Sequence, residues 1–149
     1  MTNFIKLIST FFYSGYVPKI PGTFGTLSGA IFYYFIILFF EPSSMQLVWI
    51  TLSIIFISII FSHYSVEIFN SNDPPRGVID EVAGFFVTVL FVPFSLPNLF
   101  TAFVLFRLFD IWKPLSIKKL EKLPSGLGIT LDDVAAGVLA NLCLRIIIF

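Results

Sequence analysis

Five carboxylates and two cations stand at the edges of apolar runs in this chain, and their spacing carries the first chemical content. Arg107, Asp110 and Lys113 recur every third residue in Phe106-Arg107-Leu108-Phe109-Asp110-Ile111-Trp112-Lys113-Pro114, which at helical spacing places them on one broad face. Asp80-Glu81 opens one apolar run and Asp132-Asp133 opens another. Capping and the helix dipole account for one acid at a helix start, worth about 0.3–1 kcal/mol. Two adjacent pairs, plus an aspartate at a helix end where the dipole disfavours it, exceed that need. Clustered carboxylates repel one another unless cations compensate, and hard oxygen donors of this kind suit magnesium or manganese. Arginine matches phosphate in bidentate fashion, whereas lysine acts as a compact point charge. Acids holding a metal beside fixed cations describe a phosphoryl-transfer site. The structural alternative is a set of salt bridges between helices, with Arg107 paired to Asp132 or Asp133.

The elements that must position these groups are apolar. The 149 residues are 57% hydrophobic and 12% charged, with twenty phenylalanines; soluble domains run at about 25% charged residues. Together with a mean hydropathy of +0.96, this argues for a membrane protein, read as one domain over residues 1–149. A formal net charge of zero implies no basic surface for nucleic acid. The single cysteine, Cys143, excludes a disulfide within the chain, and the single histidine, His63, excludes any mechanism needing two. The N-terminus lacks a small-residue cleavage site after a clean apolar stretch and reads as mature protein.

Residues Asn3 to Tyr13 gather Phe4, Leu7, Ile8, Phe11 and Phe12 near one side of a helix, either interfacial or the first core helix. Pro21-Gly22-Thr23-Phe24-Gly25-Thr26-Leu27-Ser28-Gly29 reads as a glycine-rich turn in which Thr23 or Thr26 caps the next helix. Such a helix start is also a phosphate-binding element, which makes Thr23 and Thr26 candidate phosphate contacts. Apolar runs follow at Leu27–Phe40, Met45–Phe61, Val82–Val92, Leu99–Phe106 and Val134–Phe149. Between them lie the Glu41-Pro42-Ser43-Ser44 turn, a polar stretch from Ser62 to Glu81, the Pro93–Asn98 turn, and a basic segment with a Ser125-Gly126-Leu127-Gly128 turn. Pro114 ends the preceding helix at Lys113, and Pro114 to Leu123 reads as an amphipathic surface helix with Lys118, Lys119 and Lys122 toward anionic headgroups.

The expected fold class is all-α, a multi-pass transmembrane or membrane-embedded helical bundle. If each run crosses once, every candidate motif falls on one side. Lys6, Lys19, Arg76, Arg107, Lys113, Lys118, Lys119 and Lys122 share that side, and only Arg145 lies in the closing run. The positive-inside rule makes that face cytoplasmic. Other chemistries fall away: Cys143 has no arginine at the spacing of cysteine phosphatases, and no Asp-x-Asp motif is present. His63 reads as a boundary residue, Asp73 as a loop residue shaping the approach to Asp80, and Glu67 as solvent-facing. A small cation transporter is the competing class, since intramembrane acids line ion paths; it predicts acids at mid-span and on both sides, not at one boundary.

Four blocks in order, Pro21 to Leu27, Val78 to Gly84, Phe106 to Pro114 and Gly128 to Gly137, resemble phosphatidylglycerophosphatase A. That resemblance spans most of the chain. It implies an all-helical, magnesium-dependent lipid phosphatase of the bacterial cytoplasmic membrane that converts phosphatidylglycerophosphate to phosphatidylglycerol. It further implies that Asp80, Glu81, Asp110, Asp132 and Asp133 supply metal-binding or catalytic carboxylates and that Arg107 and Lys113 hold the phosphate. Another phosphomonoester substrate on the same fold stays open. Ser116 and Ser125 depart from the family's usual proline and glycine, which bears on loop shape.

Overall fold

The computed structural model describes residues 2–114 and 117–148; Ser116 and the Lys118 side chain lie outside the described residues. Among the described residues the chain is all-α. Helix α1 (Thr2–Ser9) leads through a short 3-10 turn to α2 (Pro21–Phe40) and α3 (Ser44–Phe69). A loop then feeds α4 (Ile79–Val89), α5 (Leu96–Trp112), a 3-10 segment (Ile117–Lys122) and α6 (Gly126–Ile148).

Several boundaries differ from the sequence expectation, each for a physical reason. The glycine-rich stretch is the opening of α2 and not a turn. Pro21 sits at the first helical position, where its fixed φ and missing N–H cost nothing, and Ile20 before it offers no side-chain cap. Thr23 and Thr26 therefore lie inside the helix and cap nothing. Helix α3 begins as expected, with Ser43 and Gln46 forming a reciprocal capping box. It then runs through Ser62 to Phe69, which the sequence reading placed in a polar loop. The hydroxyls there belong to a packed face: Ser62 and Ser65 are buried, and Ser65 donates to the Ser62 carbonyl at 2.9 Å. Helix α5 ends where Pro114 predicted, with Lys113 in the left-handed region at φ 47° and its N–H on the Phe109 carbonyl at 2.8 Å. Ile117–Lys122 form a 3-10 helix that buries Ile117 and exposes Lys119 and Lys122.

Helix α4 is the axis of the bundle, with ten of its eleven residues buried. At about 1.5 Å per residue it is roughly 16 Å long, about half of a ~30 Å hydrocarbon core, so α4 does not meet the expectation that every run crosses. Its C-terminal carbonyls are closed by α6. Asn141 donates to the Thr88 and Leu90 carbonyls at 2.7 and 2.8 Å, and Arg145 donates to Leu90 at 3.3 Å. The two helices meet backbone to backbone. A Cβ added at Gly137 would stand 2.3 Å from the Gly84 carbonyl oxygen, and one added at Gly84 would stand 2.6 Å from that of Asp133.

The polarity of α3 is inverted relative to a helix on a water-soluble core. Its buried residues are Thr51, Ser58, Ser62 and Ser65, while Trp49, Leu52, Phe56 and Ile57 are exposed. Ser58 and Thr130 of α6 share a buried hydroxyl–hydroxyl hydrogen bond of 2.8 Å. Small and hydroxyl-bearing residues between helices, with large apolar ones outward, are how helices pack when the surroundings are hydrocarbon. Helices α2 and α3 are each long and apolar enough to cross a membrane.

The α4–α6 contact generates a stability prediction. Helix propensity favours Gly137→Ala by about 1 kcal/mol, but the new methyl meets a backbone carbonyl that moves only if a whole helix moves. Overpacking of that kind costs about 1–3 kcal/mol. Thermal unfolding in detergent should therefore show a lower Tm for Gly137→Ala; a raised Tm would mean the helices are not in contact there.

Candidate active site

Five helix ends converge on one cavity of about 600 Å³. Pro21 and Gly22 begin α2, Val66 lies near the end of α3, Asp80 and Glu81 occupy the first turn of α4, Arg107, Asp110 and Lys113 close α5, and Asp132 and Asp133 lie on α6. All seven charged residues singled out in the sequence line this cavity. They gather at one end of the bundle and not along its length, which is the arrangement expected of a site and not of an ion path.

Asp132 and Asp133 do not open their helix. Helix α6 starts at Gly126, so the pair falls in its second turn, beyond the reach of a capping role. Both are buried, as are Asp80 and Asp110. One carboxylate oxygen each from Asp80, Glu81 and Asp133 lies within 4.8 Å of the others. Burial penalises the ionised forms of Asp80, Glu81 and Asp133, and the neighbouring carboxylate charges add to that penalty. Such a cluster holds together only with protons or a cation between its oxygens.

The cations present take part of that load, in a different pairing from the one weighed in the sequence. Arg107 pairs with Asp110, one turn along α5, rather than with α6. Its Nη1 also donates to the Thr26 hydroxyl at 3.4 Å, and Thr26 in turn donates to the Gly22 carbonyl at 2.9 Å. Lys113 pairs with Asp132 across helices, its position set by the left-handed turn at the α5 terminus. What is left over is specific. The buried atoms without a hydrogen-bond partner include Asp80 Oδ1, Glu81 Oε2 and Asp133 Oδ2, one from each member of the three-carboxylate cluster, together with Arg107 Nε. Three unsatisfied anionic oxygens of hard donor type fit a divalent cation such as magnesium.

Thr26 thus reaches the site through Arg107, as a fully buried support. Thr23 does not line the cavity. Sequence reasoning missed the role of Gly22. A Cβ there would stand 2.3 Å from Glu81 Oε1 and 3.3 Å from both terminal nitrogens of Arg107, so its bareness seats the two side chains. The readable signal was the spacing of Gly22, Gly25 and Gly29, one helical face in a segment taken for a turn. Asn72, Asp73, Pro74 and Pro75 from the loop before α4 form part of the cavity wall, as does Ser125. His63 is inside α3 and not at its boundary, and its Nδ1 lies 2.7 Å from Ser125 Oγ. Glu67 is exposed.

A helical bundle with a cavity that joins clustered acids to fixed cations defines a phosphoryl-group enzyme set in an apolar scaffold. A family model for phosphatidylglycerophosphatase A matches residues 7–148. The chain belongs to that family and is a phosphatase. It is 32% identical to phosphatidylglycerophosphatase A of Escherichia coli K12, covering 94% of this chain and 81% of that protein. The same identity and share of this chain hold for phosphatidylglycerophosphatase A of Haemophilus influenzae, with 86% of that protein covered. It is 38% identical to a protein of Bacteroides thetaiotaomicron named as a candidate phosphatidylinositol-3-phosphatase, over 89% of this chain and 86% of that one. No solved structure matches the chain.

The contact at Gly22 yields a test that separates chemistry from folding. In Gly22→Ala the new methyl displaces the movable end of Glu81 and not a backbone. Phosphate release should fall about tenfold or more, the scale of a misplaced reacting group, while Tm stays near wild type. Wild-type turnover in Gly22→Ala would show that Glu81 needs no such seat.

Proposed function

We propose that this chain hydrolyses the terminal phosphomonoester of phosphatidylglycerophosphate, with a magnesium ion held by Asp80, Glu81 and Asp133. The observation that carries the reading is the trio of buried, partnerless oxygens, Asp80 Oδ1, Glu81 Oε2 and Asp133 Oδ2, beside a guanidinium with spare donors. When bound, the metal would supply Lewis-acid polarisation of the phosphate and a more acidic water. Asp110 and Thr26 both engage Nη1 of Arg107 and hold its direction, which leaves the rest of the guanidinium fork for phosphate oxygens. Lys113, steadied by Asp132, adds a second positive charge on the cavity wall.

The reaction follows from these roles. A water oxygen bonds to phosphorus as the bond from phosphorus to the glycerol oxygen breaks. A carboxylate of the acidic cluster takes the water proton, and the departing glycerol oxygen takes a proton back, leaving phosphatidylglycerol and inorganic phosphate. Charge spreading over the equatorial oxygens faces Arg107 and Lys113. The lipid's inner phosphate is a diester with a single charge, whereas the terminal monoester carries up to two. A site built from a metal and two cations prefers the latter.

On the same reading the bundle is a multi-pass protein of the bacterial cytoplasmic membrane with the cavity open to the cytoplasm. Support comes from the inverted polarity of α3, the length of α2 and α3, and the gathering of Arg107, Lys113, Lys119 and Lys122 at or near the cavity end. Arg145 sits at the opposite end, on α4's last carbonyls. One relative's name favours a second substrate, phosphatidylinositol 3-phosphate, which presents the same phosphomonoester on a ring polyol.

Purified protein in detergent micelles distinguishes these readings by phosphate release from each lipid, with magnesium and with chelator. Phosphatidylglycerophosphate should be cleaved with the higher kcat/KM, and chelation should abolish turnover reversibly. Asp80→Asn, Glu81→Gln and Asp133→Asn should each lower kcat by about 10²–10³-fold, the usual scale for loss of one preorganised electrostatic group. Undiminished turnover in chelator would remove the metal from the proposal. A preference for the inositol lipid would transfer the substrate assignment to it.

A further inference from the structure

A second cavity, of about 420 Å³, lies outside the acidic site and is lined almost wholly by hydrocarbon. Phe32 of α2 forms one wall, Trp49, Ile54 and Ile57 of α3 form the other, and Ile79 of α4 also lines it. Phe11 and Phe12 complete it from the segment after α1. The one hydroxyl in the lining, Ser53, is already satisfied by the Trp49 carbonyl at 2.8 Å, so no polar group is left to recruit water or a headgroup. From Trp49 to Ile57 the α3 wall runs about 12 Å, at 1.5 Å per residue.

Two observations tie this groove to the reaction. Ile79 in its lining immediately precedes Asp80 in the acidic cluster, so the groove comes within one residue of the carboxylates. The aromatic segment is also held at a cost. Phe11, Phe12 and Tyr13 occupy the left-handed region in succession, at φ 40°, 55° and 65°. A bulky residue in that region is disfavoured by roughly 1–2 kcal/mol, and such strain gathers at ligand-holding segments. Here it presents the Phe11 ring to Phe12 at 5.3 Å and to Phe32 at 5.7 Å, joining the segment to α2.

We propose that the groove between α2 and α3 seats one acyl chain of the phosphomonoester lipid whose headgroup enters the acidic cavity. The proposal rests on the lipid-phosphatase reading above. Both walls come from the helices long and apolar enough to cross a membrane, so the groove opens toward hydrocarbon. A chain seated there would place the headgroup by its own tether. The groove then acts as a specificity element: a long-chain substrate gains binding energy from it, and a short-chain substrate with the same headgroup does not.

Filling the groove from its exposed side tests this. Ser53→Trp lies on the outward face of α3, away from the packed hydroxyl face. The readout is kcat/KM for dioleoyl phosphatidylglycerophosphate divided by that for the dihexanoyl form, in detergent micelles. Wild type should favour the dioleoyl lipid, and Ser53→Trp should lower the ratio at least tenfold. Leu142→Trp, exposed on α6, should leave it at the wild-type value. Wild type that cleaves both lipids with a ratio unmoved by Ser53→Trp overturns the groove and leaves the phosphatase reading intact. Wild type that cleaves neither lipid overturns the reading on which the groove depends. A diazirine placed in the acyl chain gives a readout independent of turnover. Labelling should concentrate between Trp49 and Ile57 and be competed by unlabelled phosphatidylglycerophosphate but not by phosphatidylcholine. Uniform, uncompeted labelling over all exposed helices would refute the assignment.

Discussion

The backbone contact between α4 and α6 is the constraint on which the site depends. Gly84 and Gly137 let the two helices approach until one helix's carbonyl lies where the other's side chain would be. That approach brings Asp80 and Glu81, from the start of α4, against Asp133, from the second turn of α6. With a methyl at either crossing point the helices would stand farther apart, and the three oxygens would no longer share one small volume. Thr88 adds a hydroxyl that donates to the Gly84 carbonyl at 3.0 Å and, more weakly, to that of Gly137 at 3.4 Å. Close packing of the scaffold and crowding of the acids are thus one feature.

Crowded acids in a buried place cost stability, and the fold offsets this from several directions. Asp80 and Glu81 stand in the first turn of α4, where unpaired N–H groups and the helix dipole favour negative charge. The other end of that helix is closed by Asn141 and Arg145, so its carbonyls do not go unmet inside the bundle. Asp110 has the opposite problem, being an acid at a helix C-terminus, and Arg107 one turn before it answers that. Asp132 is answered by Lys113, which reaches it only because α5 ends in a left-handed residue. The buried oxygens that no hydrogen bond reaches among the described residues are those assigned to the metal in the proposed function.

Much of the outer architecture follows from a division between hydrocarbon and small polar surfaces. Phe56, Phe100, Leu142 and Ile146 face outward, while hydroxyl and small residues pack between helices. This explains a composition that would be implausible for a chain surrounded by water. It also explains why hydropathy alone misjudged α3: the serines after Phe61 are polar, yet they continue the inward face set by Thr51 and Ser58.

What the sequence determined by itself was the set of charged residues that line the cavity and the order of the helices. Asp80, Glu81, Arg107, Asp110, Lys113, Asp132 and Asp133 were legible because charge is rare in so apolar a chain, and Pro114 marked the end of α5 because the residue before proline avoids helical geometry. The partners were not legible. Whether Arg107 meets Asp110 or an acid of α6 depends on distances between helices, which no local pattern encodes. The glycines misled for a related reason. Glycine serves both turns and close approach, and Gly22, Gly25 and Gly29 could be recognised as a contact face only once α4 was packed against them. Tertiary structure alone decided that Thr26 supports Arg107, that Thr23 stands outside the cavity, and that three oxygens from two helices are left without a hydrogen-bond partner among the described residues. Each of these is a fact about where two segments meet, and chain spacing carries no information about that meeting.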